Sequence, residues 1–405
     1  MRFDLTAWLK KIKYDPNSVK RDIKDGSTDV YLAKVSYRYA YFGRIFCILS
    51  LVFVLVFVLM GNLSYDKFYH LVKDISISVE YVNSVHDTIT YNTGNSQSFA
   101  VYRGGLAVAS REKLAIFSAG GKELMSSSHN YANPILISSG KYVLLYDVGG
   151  KQFSFGNSFS EIKQERVENI IYGASISKTG DFALITQKEG YDSAIRLYYK
   201  NGATCDYYFA FGHVVGLSLS NDGSKMAVML IYPSGTEIRT QIRLYDIGSN
   251  NYKSMDMSNV GLPLAIQFSK ENNVFVVGAN GVCTFSSNLS CLGEYFSESE
   301  IYSYSFGEDN IAISTVSGDG KSEIAILGKR ANITKKYVFD DKVLDAKLYG
   351  KYLFVQKVNS FERIDTVFGI KKEITIKTSK YQMLMIDKDS IVICDSAHAR
   401  FINFD

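Results

Sequence analysis

Beyond about residue 100 the chain alternates between short apolar strands and polar turns, and the alternation repeats at a period near forty residues. The clearest unit is a turn followed by a strongly apolar strand: SSGKYVLLYDV (138–148), SKTGDFALITQ (177–187), SNDGSKMAVML (220–230), SKENNVFVVGA (269–279), GEDNIAISTVS (307–317), YGKYLFVQKV (349–358) and DKDSIVICDSA (387–397). The turn residues Gly140, Gly180, Gly223, Asn272, Asp309, Gly350 and Asp389 are spaced by 40, 43, 49, 37, 41 and 39 residues. Gly, Asn and Asp suit such turns because they accept positive φ or bond their own backbone through a short polar side chain. The strand that follows is apolar on both faces, as a strand sandwiched between neighbouring sheets must be.

Third strands come next in KLAIFSA (113–119), AIRLYYK (194–200), QIRLYDIG (241–248), GVCTFSS (281–287), EIAILGK (323–329) and ARFINFD (399–405). More polar fourth strands follow several of them, such as TCDYYFA (204–210) and ITKKYVF (333–339). Four strands per forty-residue unit predict an all-β fold, a β-propeller of four-stranded blades. YRGGLAVAS (102–110) is a weaker eighth copy, so eight blades are expected, or seven if that copy serves another purpose. The competing readings are a chance pattern in a β-sandwich, or a pair of them, and a solenoid, whose coils are usually shorter than forty residues. The sequence ends on a third strand, leaving the last blade short of its outer member. SISVEYV (76–82) or DTITYNT (87–93), both ahead of the first full repeat, can supply it and so close the ring without a free edge.

A different pattern precedes the repeats. Ile45 to Leu63 reads IFCILSLVFVLVFVLMGNL, with no ionisable residue. At about 1.5 Å per residue a helix of this length covers roughly 28 Å, close to the hydrocarbon core of a bilayer. β-branched and aromatic residues crowd the run, but in lipid only a helix satisfies an isolated backbone. Tyr37, Tyr39, Tyr41 and Phe42 before it, and Tyr65, Phe68 and Tyr69 after it, are placed as interfacial anchors. The long lead and the lack of an A-x-A-like site argue against a cleaved signal peptide. The organisation expected is a tail over residues 1–43, a membrane span over 44–63, a linker over 64–75 and a propeller over 76–405.

Charge orients the span. Of 45 Lys and Arg and 41 Asp and Glu, residues 1–44 hold ten basic and five acidic groups. The remainder is therefore close to neutral. Lys34, Arg38 and Arg44 stand just before the span, so the basic side stays inside, and the propeller is expected outside the cell membrane. A propeller with no positive excess has no general attraction for phosphate backbones, which argues against nucleic acid as a partner. Within the tail, Leu5, Trp8, Leu9 and Ile12 fall at helical spacing among Lys10, Lys11 and Lys13, and Pro16 ends the pattern. Two readings stand for it: a short basic amphipathic helix for the inner leaflet or a cytoplasmic partner, or a solvated tail too short to hold a helix.

The S-N-D-G-S and S-K-T-G-D turns resemble the S-x-D-G-K turn of propellers in the Tol-associated periplasmic protein. LYDIGS (244–249) is similar to the end of the third strand in WD-repeat blades, without the Trp. The full layout resembles an uncharacterised Gram-positive family of membrane-anchored β-propellers. That resemblance implies a tail, a span and a propeller, and brings no catalytic residue.

Candidate chemistry is thin. His70, His86, His129, His213 and His398 form no H-x-x-x-H or H-E-x-x-H pair. Cys47 lies in the apolar run and reads as a small packing residue. Cys205, Cys283, Cys291 and Cys394 would face an oxidising side. Cys283 and Cys291 flank a turn near Ser287, which leaves open a cross-strand disulfide or two buried thiols. No C-x-x-C pair points to zinc or redox work. Propeller enzymes of three kinds lack their signatures here. The one Trp, Trp8, excludes tryptophan docking motifs; no S-x-D-x-G-x-x-W box occurs; and no G-x-S-x-G elbow or spare hydrolase domain is present. No catalytic, cofactor or metal residue is assigned. Tyr198, Tyr199, Tyr207 and Tyr208 are candidates for an exposed recognition surface, against the plain reading that Tyr is ordinary in strands.

The function expected is therefore a membrane-anchored binding, scaffold or sensing module for a protein, peptide or envelope polymer. The alternative is an envelope-polymer hydrolase or lyase whose carboxylates, drawn from several blades, converge in the central funnel. The funnel lining separates the two. Three or more convergent Asp, Glu, Arg or His favour the enzyme, and a Ser, Thr and Val lining favours the platform.

Overall fold

A computed structural model of the chain describes residues 41–54, 88–91, 97–249, 251–257, 260–376 and 381–404. The chain divides into two units, Met1–Ser78 and Val79–Asp405. In the first, residues 41–54 form an α-helix that begins the apolar run and exposes Phe42, Phe46, Leu49, Leu51 and Phe53. Among the described residues no helix is long and apolar enough to cross a membrane. The rest of the expected span (55–63), the tail pattern at Leu5–Ile12 and the SISVEYV segment lie outside the described residues.

The second unit is an eight-bladed β-propeller. Its strands form eight antiparallel four-stranded sheets, seven of them built from consecutive strands. The blades span residues 98–128, 134–166, 171–209, 213–257, 263–296, 303–339, 343–375 and, for the eighth, 382–403 together with 88–90. The weak copy at 102–110 is a full blade member: its strand Gly105–Ala109 is buried throughout. Of the two candidates for ring closure, the DTITYNT segment supplies the strand. Thr88–Thr90 pairs antiparallel with His398–Asn403, Ile89 standing opposite Ala399.

The first strand of each blade lies innermost, and these strands contact their counterparts around the ring, the eighth touching the first. Every blade thus runs down, up, down and up along the channel axis. One face, here the upper, carries the connections between blades and the hairpins between second and third strands. The lower face carries the other two hairpins of each blade.

No single core exists. The buried apolar side chains fall into eight clusters, one at each interface between adjacent blades. This is why the second strands are apolar on both faces, as in Val274–Gly278 and Tyr142–Asp147. The cluster joining the eighth blade to the first combines Ile89 and Tyr91 with Leu106, Val108, Val392 and Ala399. Hydrogen bonds stitch the inner strands as well. The hydroxyl oxygens of Ser98, Ser175, Ser218 and Ser305 accept from the backbone N–H of Leu136, Leu219, Phe268 and Leu348 in the next blade, at 2.9, 3.0, 3.1 and 3.0 Å.

The lower-face turns follow the chemistry read from the sequence at most positions. Gly140, Gly180, Gly223, Gly350 and Asn272 all have positive φ. Gly180, at φ 97°, also packs so closely on Tyr142 that a Cβ would sit 2.8 Å from its ring. Asp309 and Asp389 are not in this region. Asp309 instead accepts the Glu271 N–H of the preceding blade at 3.2 Å, and the turn at Asp389 is held by Asp387, whose carboxylate accepts the N–H of Asp389 and Ser390.

Candidate channel-mouth interface

The inner strands decide what the channel can do. Across all eight, the only ionisable groups other than Tyr are His213, Asp345 and Lys347. His213 belongs to the fourth blade and the other two to the seventh. Asp345 is engaged already: Lys347 lies 3.1 Å away, and the Ser303 hydroxyl donates to it at 2.8 Å. Among the described residues no group of three His, Cys, Asp or Glu is placed to hold a metal.

What the inner strands do offer is apolar. In four of them the register slips near the upper end: between Ile171 and Gly173, Val214 and Gly216, Pro263 and Ala265, and Val343 and Asp345. Each slip is a β-bulge that leaves one residue outside the ladder and re-aims its side chain. The residues freed are Tyr172, Val215, Leu264 and Leu344. Tyr172, Val215 and Leu264 are 52%, 40% and 38% exposed; Ile135 and Tyr302, at the same level in two other blades, are 37% and 42% exposed. Blades two to six therefore each present an uncovered apolar or aromatic side chain at the upper mouth. Gly216 permits its bulge, since a Cβ there would lie 2.8 Å from Met229 and 3.0 Å from Ile266.

Further apolar surface adjoins this arc. The two ten-residue strands Lys225–Ser234 and Glu237–Asp246 make the longest hairpin of the upper face, carrying Tyr232 and the exposed Ile238. Phe211 stands 6.5 Å from Tyr232 between ring centres, and Leu262 is exposed on the next connection. A lone exposed apolar residue needs no explanation, but a contiguous set marks an interaction surface.

Beside the arc, on the third blade, a shallow, open recess is lined by Glu168, Gln187, Lys188, Arg196, Asp206 and Tyr208 among others. Its guanidinium is not free. Arg196 bonds both oxygens of Asp206 at 2.7 and 2.8 Å, and this pairing holds the Asp206 carboxyl below the ordinary range. The Tyr208 hydroxyl donates to the same carboxylate at 3.2 Å, and its ring stacks on Tyr191 at 4.9 Å. The recess is thus a closed ion pair with an aromatic rim.

Several candidate residues stand differently from expectation. Tyr198 is buried in the cluster between the second and third blades and Tyr207 in that between the third and fourth; Tyr208, on the other face of the same outermost strand as Tyr207, is exposed, and Tyr199 is half-buried. Burial pushes the Tyr198 hydroxyl up to about 12. Cys283 and Cys291 are not opposite one another. A register shift between Thr284 and Phe285 sets Cys291 across from Phe285 and Cys283 across from Glu294. Both thiols are free; Cys283 is buried and pushed up to about 12, whereas Cys291 is exposed. Cys47 is exposed on its helix, Cys205 is half-buried, and burial raises the Cys394 thiol. His129 is half-buried against Tyr131, ring centres 4.3 Å apart, and burial lowers its pKa. His213 and His398 are exposed at strand starts, and His70 and His86 lie outside the described residues. The bulged residues were not singled out from the sequence. The one available signal was the Gly after the apolar residue in IYGAS and VVGLS.

This chain belongs to the DUF5711 family, a family of unknown function. The family model matches residues 78–404, the whole propeller. No curated protein matches the chain. Among solved structures the chain is similar in fold to Sqt1 of Saccharomyces cerevisiae, at 10% identity and TM-score 0.56 over 79% of this chain and 100% of that one. Sqt1 of Chaetomium thermophilum, solved bound to the N-terminus of the ribosomal protein L10, is 14% identical with TM-score 0.54, covering 78% and 99%. BamB of Moraxella catarrhalis is 12% identical with TM-score 0.50, covering 79% and 99%. At these identities the likeness is one of fold.

Proposed function

We propose that this member of the DUF5711 family is a membrane-anchored, extracytoplasmic binding module that holds a protein or peptide at the upper mouth of its channel. The observation that carries the reading is the arc of apolar side chains from Ile135 to Tyr302, raised by bulges on an inner wall almost without charge. Fully desolvated apolar and aromatic anchors supply most of the energy of protein recognition. A hydrolase or lyase would need convergent acid and base groups, and the wall offers His213 three blades away from an already paired Asp345. One propeller of similar fold, the Chaetomium Sqt1, holds a protein N-terminus, so the scaffold is compatible with this task.

Anchoring is supported by the uncharged run Ile45–Leu63 and by the exposed apolar helix over 41–54 that begins it. Orientation is supported by the basic excess before the run. The tail then faces the cytoplasm, where it can meet a second partner.

Photo-crosslinking in the producing cells tests the binding site. A crosslinker at Val215 or Leu264 is expected to capture one discrete protein that the same probe at Tyr252, exposed on the outermost strand of the fourth blade, does not. Identical capture at all three positions, or none at the two mouth positions, would overturn the reading.

A further inference from the structure

The lower face carries a feature that channel-mouth binding does not use. In the seventh blade the loop between the third and outermost strands, residues 366–370, reads TVFGI. Val367, Phe368 and Ile370 are 61%, 71% and 58% exposed. These side chains are held outward by a built turn. The Asp365 carboxylate accepts the N–H of Val367 and Phe368 at 2.9 and 3.0 Å, and its backbone carbonyl accepts the Gly369 N–H at 2.7 Å. The Thr366 hydroxyl donates to the Lys351 carbonyl at 2.8 Å, and Gly369 takes φ 73° to close the turn. Fixing three apolar residues in water has an energetic cost, which the one contact of the Lys351 ammonium over the Phe368 ring offsets only in part.

Basic residues surround the loop. Lys351 lies 4.8 Å from the Phe368 ring centre and 2.8 Å from the Asp365 carboxylate, and Lys371 and Lys372 open the outermost strand. The face as a whole leans the same way. Among the described residues its hairpin loops hold ten basic and seven acidic residues, whereas the connections of the upper face hold four and nine. The four charged residues in the lower loops between third and outermost strands, Lys122, Lys200, Lys329 and Arg330, are all basic.

The geometry points to a lipid surface as the partner of this face: Val367, Phe368 and Ile370 insert at the headgroup–acyl boundary of an anionic bilayer, and the surrounding Lys and Arg meet its headgroups. Apolar side chains beside basic ones are the composition of interfacial segments. A five-residue projection is too small to centre a protein interface, which takes about 800 Å² per partner. The inference rests on the anchoring reading above.

Trp8 is the only tryptophan, so Trp8→Phe gives a silent background in which single tryptophans can be placed. The full chain carrying Trp8→Phe and Phe368→Trp is reconstituted into phosphatidylcholine–phosphatidylglycerol vesicles, with and without brominated acyl chains. The control replaces Phe211, 65% exposed on the upper face, by Trp. Bromine is expected to quench the probe at 368 at least two-fold more than the probe at 211. Flotation of the chain with equal or absent quenching at both positions overturns the lipid assignment and leaves anchoring intact. Failure to float overturns anchoring and this inference together. Flotation without quenching, joined to capture of a protein by a crosslinker at position 368 in cells, would give the loop to a protein.

Discussion

The hydroxyl of Tyr91 lies 2.8 Å from the backbone carbonyl of His398 and 2.7 Å from that of Asp395, more than three hundred residues further along the chain. Its ring sits in the apolar cluster that joins the last blade to the first. The start of the propeller is thereby locked to its end by a ladder, a packed ring and a hydroxyl clasp. Burial raises the pKa of this hydroxyl, so it stays protonated and able to donate. Tyr91→Phe removes the proton donor while keeping the ring, and is expected to cost about 1 kcal/mol, the net worth of an ordinary hydrogen bond. Urea unfolding followed by circular dichroism reads that loss. Tyr91→Ala, which also empties a core site, is expected to cost about 3–5 kcal/mol.

The bulge at Val215 depends on Gly216. Gly216→Ala places a methyl group 2.8 Å from the Met229 Cε and 3.0 Å from Ile266. Over-packing of this kind costs about 1–3 kcal/mol. Thermal melting of the variant is expected to show the loss, whereas Val215→Ala, at an exposed site, is expected to stay within about 0.5 kcal/mol of wild type.

The thiols divide by accessibility. Cys291 is expected to react with a membrane-impermeant maleimide in the native protein, and Cys283 and Cys394 only after denaturation, because burial keeps both as thiols. Mass spectrometry of tryptic peptides separates the sites. Labelling of Cys291 in intact cells further checks that the propeller lies outside; labelling only after lysis would count against that placement.

His129 makes stability depend on pH. Its folded pKa lies below the ordinary 6.5, so the unfolded chain takes up the proton first as pH falls. The stability it contributes is full above pH 6.5 and is lost as pH drops toward the folded value. His129→Leu is expected to flatten the fall in melting temperature between pH 7 and pH 5, measured by scanning calorimetry against wild type.

Much of the architecture was legible because each blade is specified locally. The Gly140 and Gly180 turns and the apolar strands after them are signalled within a dozen residues, and the repetition gives the blade number. The closing strand could be narrowed to two segments, SISVEYV and DTITYNT, and the pairing of Thr88–Thr90 with His398–Asn403 decided between them. The interaction surfaces were not legible in the same way. Tyr198 and Tyr208 are both strand tyrosines, yet one is buried and the other exposed. Tyr198 ends a third strand buried on both faces, where alternation does not tell inside from outside, whereas Tyr208 lies on an outermost strand whose burial alternates. The register that sets Cys283 across from Glu294, and so away from Cys291, has no mark in the turn between them.

The sequence alone determined that short strands recur every forty residues, that an uncharged apolar run precedes them, and that basic residues gather before that run. These are properties of neighbours along the chain, governed by local propensity and periodicity. Only the tertiary structure decided that Ile135, Tyr172, Val215, Leu264 and Tyr302 share one mouth, and that Val367, Phe368 and Ile370 stand on the opposite face. Successive loops of a propeller alternate between its two faces, so residues that share a face are scattered in sequence and meet only when the ring closes.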